Sequence, residues 1–139
     1  MPAACDTVGL SVMNLSRSAL IAAALAAGAA VALGAFGAHA LRASLDEHAL
    51  AIWRTAVDYQ FWHALALLGV SGIARIRPTR PLRAAAIAFV VGILFFSGSL
   101  YALALGAPHV IGVITPIGGL AFIVGWIALA VHAWRHEGG

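Results

Sequence analysis

The sequence predicts an all-α fold: an integral membrane bundle of four transmembrane helices, with an amphipathic, interfacial helix start before the second span. First, 63% of the 139 residues are hydrophobic and only 9% are charged, whereas a soluble domain carries roughly a quarter charged residues. Second, the mean hydropathy is +0.98, and the apolar residues form four stretches, each about as long as a bilayer core is thick. Third, half of the basic residues fall in one short loop between two of these stretches. Lipid is therefore the predicted solvent.

The length predicts a single bundle. The predicted transmembrane domain covers residues 18–135, with spans at about 18–38, 57–76, 84–105 and 115–134. Residues 1–17 are predicted as an N-terminal tail and residues 136–139 as a C-terminal tail. Met13 is a candidate alternative start, which would make the residues before it non-native.

The first span, residues 18–38, contains no charged residue. Its roughly 21 residues would extend about 31 Å as a helix, which matches a hydrocarbon core of about 30 Å. Gly28, Gly34 and Gly37 are small residues of the kind that let membrane helices approach closely. A cleaved signal peptide is the alternative, because Ala-His-Ala at 38–40 has the form of a cleavage site. The apolar run is, however, longer than a usual signal core.

The second span is preceded by a polar, amphipathic stretch. Ser44 and Glu47 fit a capping box, with Ser44 as the N-cap. No helix-breaking residue follows, so the sequence predicts one helix from Leu45 to Ile76. Trp53 and Trp62 suit the headgroup level, where amphipathic rings settle. The first turns are therefore predicted to lie at the membrane interface.

An arginine-rich loop separates the second and third spans. Pro78 and Pro81 stop one helix and start the next. By the positive-inside rule, a loop with this many arginines lies in the cytoplasm, and with four spans both termini lie there too. The topology determinants are Arg75, Arg77, Arg80 and Arg83.

The third span ends in an uncharged turn at residues 106–109. The fourth is predicted to begin with Thr115 as N-cap and Pro116 at the first helical position, where proline is favoured.

Polar residues of the spans gather, in this topology, toward the non-cytoplasmic end. They have two interpretations: hydrogen bonds that fix helix packing, or a site for a proton, cofactor or substrate. The candidate cluster comprises His39, Tyr59, Gln60, His63, Ser97, Ser99, Tyr101 and Thr115.

Catalytic and cofactor chemistry finds little support. The one cysteine, Cys5, provides neither a disulfide nor a cysteine metal site within the chain. No nucleophile-elbow, zinc-protease or P-loop motif occurs, so no catalytic residue, metal or cofactor is predicted. Haem b between His39 and His63 is the alternative, as is a metal on these two and His109. Nucleic acid binding is excluded, because the arginines mark topology rather than a phosphate-binding face.

Four motifs resemble those of a family of small membrane proteins, the domain of unknown function 423 family, which includes YgdD-like proteins and transmembrane protein 256. They are Gly-Ala-Phe-Gly-Ala-His-Ala-Leu at 34–41, Thr-Ala-Val-Asp-Tyr-Gln-Phe-Trp-His-Ala-Leu-Ala-Leu at 55–67, Phe-Ser-Gly-Ser-Leu-Tyr at 96–101 and Ile-Thr-Pro-Ile-Gly-Gly-Leu-Ala-Phe at 114–122. The resemblance implies a multi-pass protein, in the inner membrane when bacterial, without an accepted enzymatic activity. Asp58 departs from the family pattern, which makes it a poor candidate for an essential group.

The sequence therefore predicts a non-enzymatic accessory or structural component of the membrane, in contact with the lipid bilayer. Its expected partners are further copies of itself or a larger membrane complex. The alternative is a binding or transport site for a small molecule, proton or lipid at the non-cytoplasmic end. The polar cluster around His39 and His63 is the reason for this alternative.

Overall fold

The computed structural model describes residues 3–136, with side chains over residues 14–135, and these residues are almost entirely helical. In order, the elements are α1 (Ala3–His39), a 3-10 turn (Leu41–Ala43), α2 (Glu47–Ile76), α3 (Arg80–Gly92), a π-helical segment (Ile93–Ser97), α4 (Gly98–Ala104), a second 3-10 turn (His109–Val113) and α5 (Ile114–His136). No break separates α3, the π segment and α4, which together form the α3–α4 helix. The predicted all-α class is confirmed.

Among the described residues, three helices are long and apolar enough to cross a membrane: Asn14–Ala43, Arg80–Ala104 and His109–Arg135. The remaining long helix, α2, has 30 residues and extends about 45 Å, but polar residues interrupt its apolar sequence. α1 begins at Ala3, so residues 3–17 are helical although the sequence places them in a tail. The predicted alternative start at Met13 falls on residues whose side chains lie outside the described part of the chain.

The outer surface of the bundle is apolar. On α5, Ile117 is 57% exposed and Leu120 is 61% exposed, and on α1 Leu25 is 70% exposed. A water-soluble protein of this size would have to cover such a surface. In a bilayer, the same side chains face lipid tails at no hydrophobic cost.

Two predicted N-caps are wrong. Ser44 does not cap α2: the cap is Asp46, whose backbone is extended and whose side chain accepts a 2.7 Å hydrogen bond from the Ala49 N–H. The residues before it are used in a 3-10 turn, where the Ser44 N–H bonds the Leu41 carbonyl at 3.1 Å. Thr115 does not cap α5 either, because the second 3-10 turn leads into a helix that already starts at Ile114.

The turn between α2 and α3 is shorter than the predicted arginine loop. α2 continues to Ile76 and α3 starts at Arg80, so only residues 77–79 lie outside the two helices. Thr79 caps α3 by accepting a 3.4 Å hydrogen bond from the Leu82 N–H. The four loop arginines remain exposed at this end, called below the arginine end.

The core lies along α2. α1 packs against one side of it, the α3–α4 helix packs against another, and α5 packs mainly on α3 and the π segment. The fully buried side chains include Leu67 and Val70 of α2 and Leu82 and Phe89 of α3. α2 is therefore the helix that joins α1 to the rest of the bundle.

The π segment coincides with a close helix crossing. A Cβ added at Gly118 of α5 would overlap the backbone of Phe95 and Phe96. Only glycine lets the backbone of α5 approach this segment so closely. A π turn widens the helix locally, and it lies where the two backbones meet.

Candidate functional site

The polar side chains of α2 are positioned by its antiparallel packing on α1. The Trp53 indole N–H donates to the Leu33 carbonyl at 2.9 Å, and the Gln60 amide donates to the Ala26 carbonyl at 2.9 Å. Trp53 and Gln60 are seven residues apart on α2, and their partners Leu33 and Ala26 are seven residues apart on α1. The two helices therefore stay in register between these contacts. This register assigns a depth in the bundle to every polar residue of α2.

Gln60 links three helices. Besides its bond to Ala26 of α1, its side-chain oxygen accepts a 3.0 Å hydrogen bond from the Tyr101 hydroxyl of α4. The Tyr101 ring packs on Trp53, with ring centroids 4.6 Å apart. Gln60 is buried, at 5% exposure, so both ends of its amide are bonded inside the bundle, as a buried polar group requires.

His63 lies in an aromatic enclosure between α2 and α5. Its ring stacks on Phe122, with centroids 3.5 Å apart and planes at 12°. Its Nδ1 lies 2.7 Å from the Tyr59 carbonyl, and the Trp126 indole N–H lies 3.3 Å from its Nε2. Because a carbonyl only accepts and an indole N–H only donates, Nδ1 carries the proton and Nε2 accepts. His63 is therefore neutral, and both of its nitrogens have partners.

The serine motif of the α3–α4 helix is used in packing. The Ser99 hydroxyl donates to the Phe96 carbonyl at 2.9 Å and lies 2.7 Å from the Thr115 hydroxyl. Since the Ser99 proton is already used, Thr115 is the donor, and the bond ties α4 to α5. Ser97 is fully buried, and its hydroxyl has no hydrogen-bond partner among the described residues.

The structure does not bring His39 and His63 together. His39 is exposed at the end of α1. By the α1–α2 register, His63 lies level with Ala23, which is 16 residues and so about 24 Å along the axis from His39. This arrangement lacks the facing pair that a bis-histidine haem needs. In the described residues, no three His, Cys, Asp or Glu side chains gather as a potential metal site.

A further polar contact, at the arginine end, was not predicted from the sequence. Ser16 of α1 and Ser71 of α2 each donate to the other's carbonyl, at 3.1 and 2.9 Å, and the Arg75 guanidinium donates to the Ser16 hydroxyl at 3.2 Å. A single serine in an apolar helix does not predict such a contact, because its partner depends on the register of one helix against the other. The contact anchors α1 to α2 beside the arginine turn.

The Thr79 hydroxyl also lies 2.8 Å from Nδ1 of His132 on α5. Thr79 was not among the predicted site residues, and it joins the arginine turn to the end of the last helix. Polar contacts therefore occur at both ends of the bundle, not only at the end that the sequence indicated.

The side chains of the polar cluster offer little reactivity toward a substrate. Gln60, His63, Ser99 and Tyr101 all spend their polar atoms on other helices or on nearby carbonyls. A nucleophile would need an adjacent base, and no such pair occurs among these residues. The arrangement holds helices together.

Comparison with known proteins gives one consistent result. A UPF0382 membrane protein of Staphylococcus aureus is 44% identical over 119 residues, which cover 86% of this chain and 97% of the relative. A UPF0382 membrane protein of Haemophilus influenzae is 45% identical over 107 residues, covering 77% and 86% of the two chains. The UPF0382 membrane protein YwdK of Bacillus subtilis is 41% identical over 108 residues, covering 77% and 88%. No solved structure gives a significant match.

A family model described as "Protein of unknown function (DUF423)" matches residues 33–119. The match runs from the last turns of α1 through the start of α5 and so includes Gln60, His63 and Tyr101. It confirms the resemblance found in the four motifs, and neither the family nor these relatives carry an enzymatic name. The chain is a membrane protein that belongs to the DUF423 family of proteins of unknown function.

Proposed function

We propose that the protein is a non-enzymatic, four-span component of the membrane that works by assembling with copies of itself. The observation that carries this proposal is that Gln60, His63, Ser99 and Tyr101 bond other helices or nearby carbonyls inside the bundle. Gln60 bonds α1 and α4, and the Ser99 hydroxyl bonds Thr115 of α5. Groups used in this way stabilise one arrangement of helices and are not presented to a substrate.

The burial pattern of α2 supports its role as the fourth span. Its polar residues Gln60, His63 and Ser71 are buried, whereas Leu65 and Leu68 are 47% and 49% exposed. Between Phe61 and Ile73, the exposed residues of α2 are all apolar or glycine. Polar groups on the inward face are compatible with a spanning helix because they bond within the protein.

The distribution of charge supports an orientation with both termini in the cytoplasm, in the bacterial inner membrane. Arg75, Arg77, Arg80 and Arg83 lie exposed at the arginine end, which the positive-inside rule assigns to the cytoplasm. The first turn of α2, at the opposite end, carries the acidic cap Asp46 and would lie at the other interface.

An exposed row of small residues on α1 supports self-association. Ala24, Gly28 and Ala32 follow one another at four-residue spacing and are all exposed, and a Cβ added at Gly28 would meet nothing within 4 Å. Small residues at this spacing allow two membrane helices to pack closely. A second copy of α1 is the proposed occupant of this row.

Disulfide crosslinking in native membranes tests the assembly. In a Cys5→Ser background, Gly28→Cys should give a covalent dimer on mild oxidation. The matched control is Gly69→Cys, at an exposed and equally open position of α2, and it should give none. Equal crosslinking of the two variants, or a monomer in both, would refute the proposed interface.

A further inference from the structure

A cleft lies between α1 and the α3–α4 helix, and Gln60 and Leu67 of α2 line its apolar part. At the arginine end it forms a polar hollow of about 550 Å³, lined in part by Asn14, Arg17 and Ser18 of α1 and by Arg83 of α3. Next to it lies an apolar hollow of about 520 Å³. Its walls are mostly small and aliphatic, including Ala22, Ala26, Ala29, Val90, Leu94 and Gly98.

The two hollows lie in line. On α1, residues 14, 18, 22, 26, 29 and 33 recur every three or four positions and so share one face of the helix. α1 and the α3–α4 helix run in the same direction, since α2 lies between them in the chain and runs antiparallel to α1. From Asn14 to Leu33 the face extends about 29 Å along the axis, close to the thickness of a hydrocarbon core of about 30 Å.

We propose that this cleft binds one anionic phospholipid, with its phosphate at Arg17 and Arg83 and an acyl chain along the apolar stretch. Guanidinium groups bind phosphate oxygens through paired hydrogen bonds. Basic pockets between transmembrane helices on the cytoplasmic side are suited to anionic head groups. No carboxylate is among the residues that line the polar hollow, so its charge is complementary to a phosphate.

The size of the apolar stretch favours a lipid chain over a helix. A helix about 10 Å wide and about 16 Å long, the distance from Ala22 to Leu33, has a volume of roughly 1,250 Å³. The apolar hollow holds about 520 Å³, so a helix would be enclosed only in part, whereas a thin alkyl chain fits within it. The polar residues at its wall, Gln60 and Tyr101, are bonded to each other, which makes that wall compatible with an alkyl chain.

Native mass spectrometry of the full-length protein, purified in detergent with phosphatidylglycerol or phosphatidylcholine added, tests the head-group site. The wild type should retain one phosphatidylglycerol and much less phosphatidylcholine. The double variant Arg17→Gln/Arg83→Gln should lose phosphatidylglycerol binding by about tenfold or more, because each arginine near the surface contributes to anionic lipid binding. The matched control Arg77→Gln/Arg80→Gln removes the same charge outside the cleft and should bind within about twofold of wild type.

A second pair of variants tests the acyl chain. Gly98 lines the apolar stretch, and a Cβ there would meet nothing within 4 Å, so Gly98→Phe should fill the cleft without disturbing the bundle. It should weaken phosphatidylglycerol retention, whereas Gly72→Phe, at an exposed and open position of α2, should not.

Equal retention of both lipids, equal loss in the two arginine double variants, or full competition by glycerol phosphate would overturn the proposal. The inference goes beyond the proposed assembly and is independent of it. A monomer that binds phosphatidylglycerol would refute only the assembly, and a dimer without lipid preference would refute only the lipid site.

Discussion

Individual polar residues in this bundle act as connectors between helices. Gln60 is the clearest example, because its amide donates to α1 and accepts from α4. The sequence indicated Gln60, His63 and Tyr101 as members of a polar cluster and left open whether they fix packing or form a site. The observed bonds favour packing, since each residue has a partner within the bundle.

The bond between Gln60 and Tyr101 should contribute to stability in a measurable way. We expect Gln60→Leu and Tyr101→Phe each to destabilise the protein, with a coupling energy of about 0.6 to 2 kcal/mol between them, as for interhelical hydrogen bonds in membranes. SDS unfolding titrations of the two single variants and the double variant measure this coupling. Additive effects of the two substitutions would contradict the bond.

The two adjacent glycines at the start of α5 should differ sharply. In Gly118→Ala the new Cβ would overlap the backbone of Phe96, which cannot rotate away, so we expect a loss of about 1 to 3 kcal/mol. In Gly119→Ala the nearest atom is a ring carbon of Phe96 at 3.7 Å, an ordinary contact. Unfolding titrations should show this control to be neutral or stabilised, by up to about 1 kcal/mol of helix propensity. Similar effects at both positions would refute the close crossing.

At the scale of elements, α2 ends where the sequence predicts and starts two residues later. The sequence predicted α2 from Leu45 to Ile76, and the structure has Glu47–Ile76. The cap was assigned to Ser44, although Asp46 is equally suited by residue type. Which of them takes the extended backbone of an N-cap depends on the 3-10 turn before it, and that turn follows from packing of Leu41 in the core.

The corrected cap of α2 predicts a difference between two substitutions. Asp46→Ala removes the 2.7 Å bond to the Ala49 N–H, and we expect it to destabilise the protein by about 1 kcal/mol. Ser44→Ala removes only a 3.5 Å contact with the Leu41 carbonyl and should change stability by less than about 0.5 kcal/mol. Thermal unfolding of both variants in detergent measures the difference. The reverse order would restore Ser44 as the cap.

The π segment is an element that the sequence analysis did not predict. In the sequence, residues 96–101 form one of the four family motifs, and Ser97 and Ser99 belong to the candidate polar cluster. A π turn has no strong local preference, and it arises here where Gly118 of α5 meets the backbone of the α3–α4 helix. Only the pairing of two helices reveals it.

At the scale of the whole molecule, the charge distribution divides the bundle into two ends. The arginine end carries Arg17, Arg75, Arg77, Arg80, Arg83 and Arg135, whereas at the opposite end Arg42 and Arg54 are offset by Asp46, Glu47 and Asp58. Arg83, one of the four arginines that predict the orientation, also lines the cleft between α1 and the α3–α4 helix. The proposed orientation and the proposed lipid site therefore share this residue.

Reporter fusions test the orientation. A reporter that is active only outside the cytoplasm should be inactive when fused after Thr79 and active when fused after His109, because the arginine end is proposed to face the cytoplasm. Western blotting of each fusion controls for expression. Activity after Thr79 and silence after His109 would reverse the proposed topology.

The sequence by itself determined the solvent of this protein, its helical class and the position of the arginine turn. These features depend on composition, on the length of apolar stretches and on proline, all of which act locally along the chain. The tertiary structure alone decided which atoms Gln60 and His63 contact, where α2 and α5 begin and that His39 lies far from His63. Those features depend on the register and rotation of one helix against another, since a polar residue at a given depth finds its partner only once its neighbours are in place.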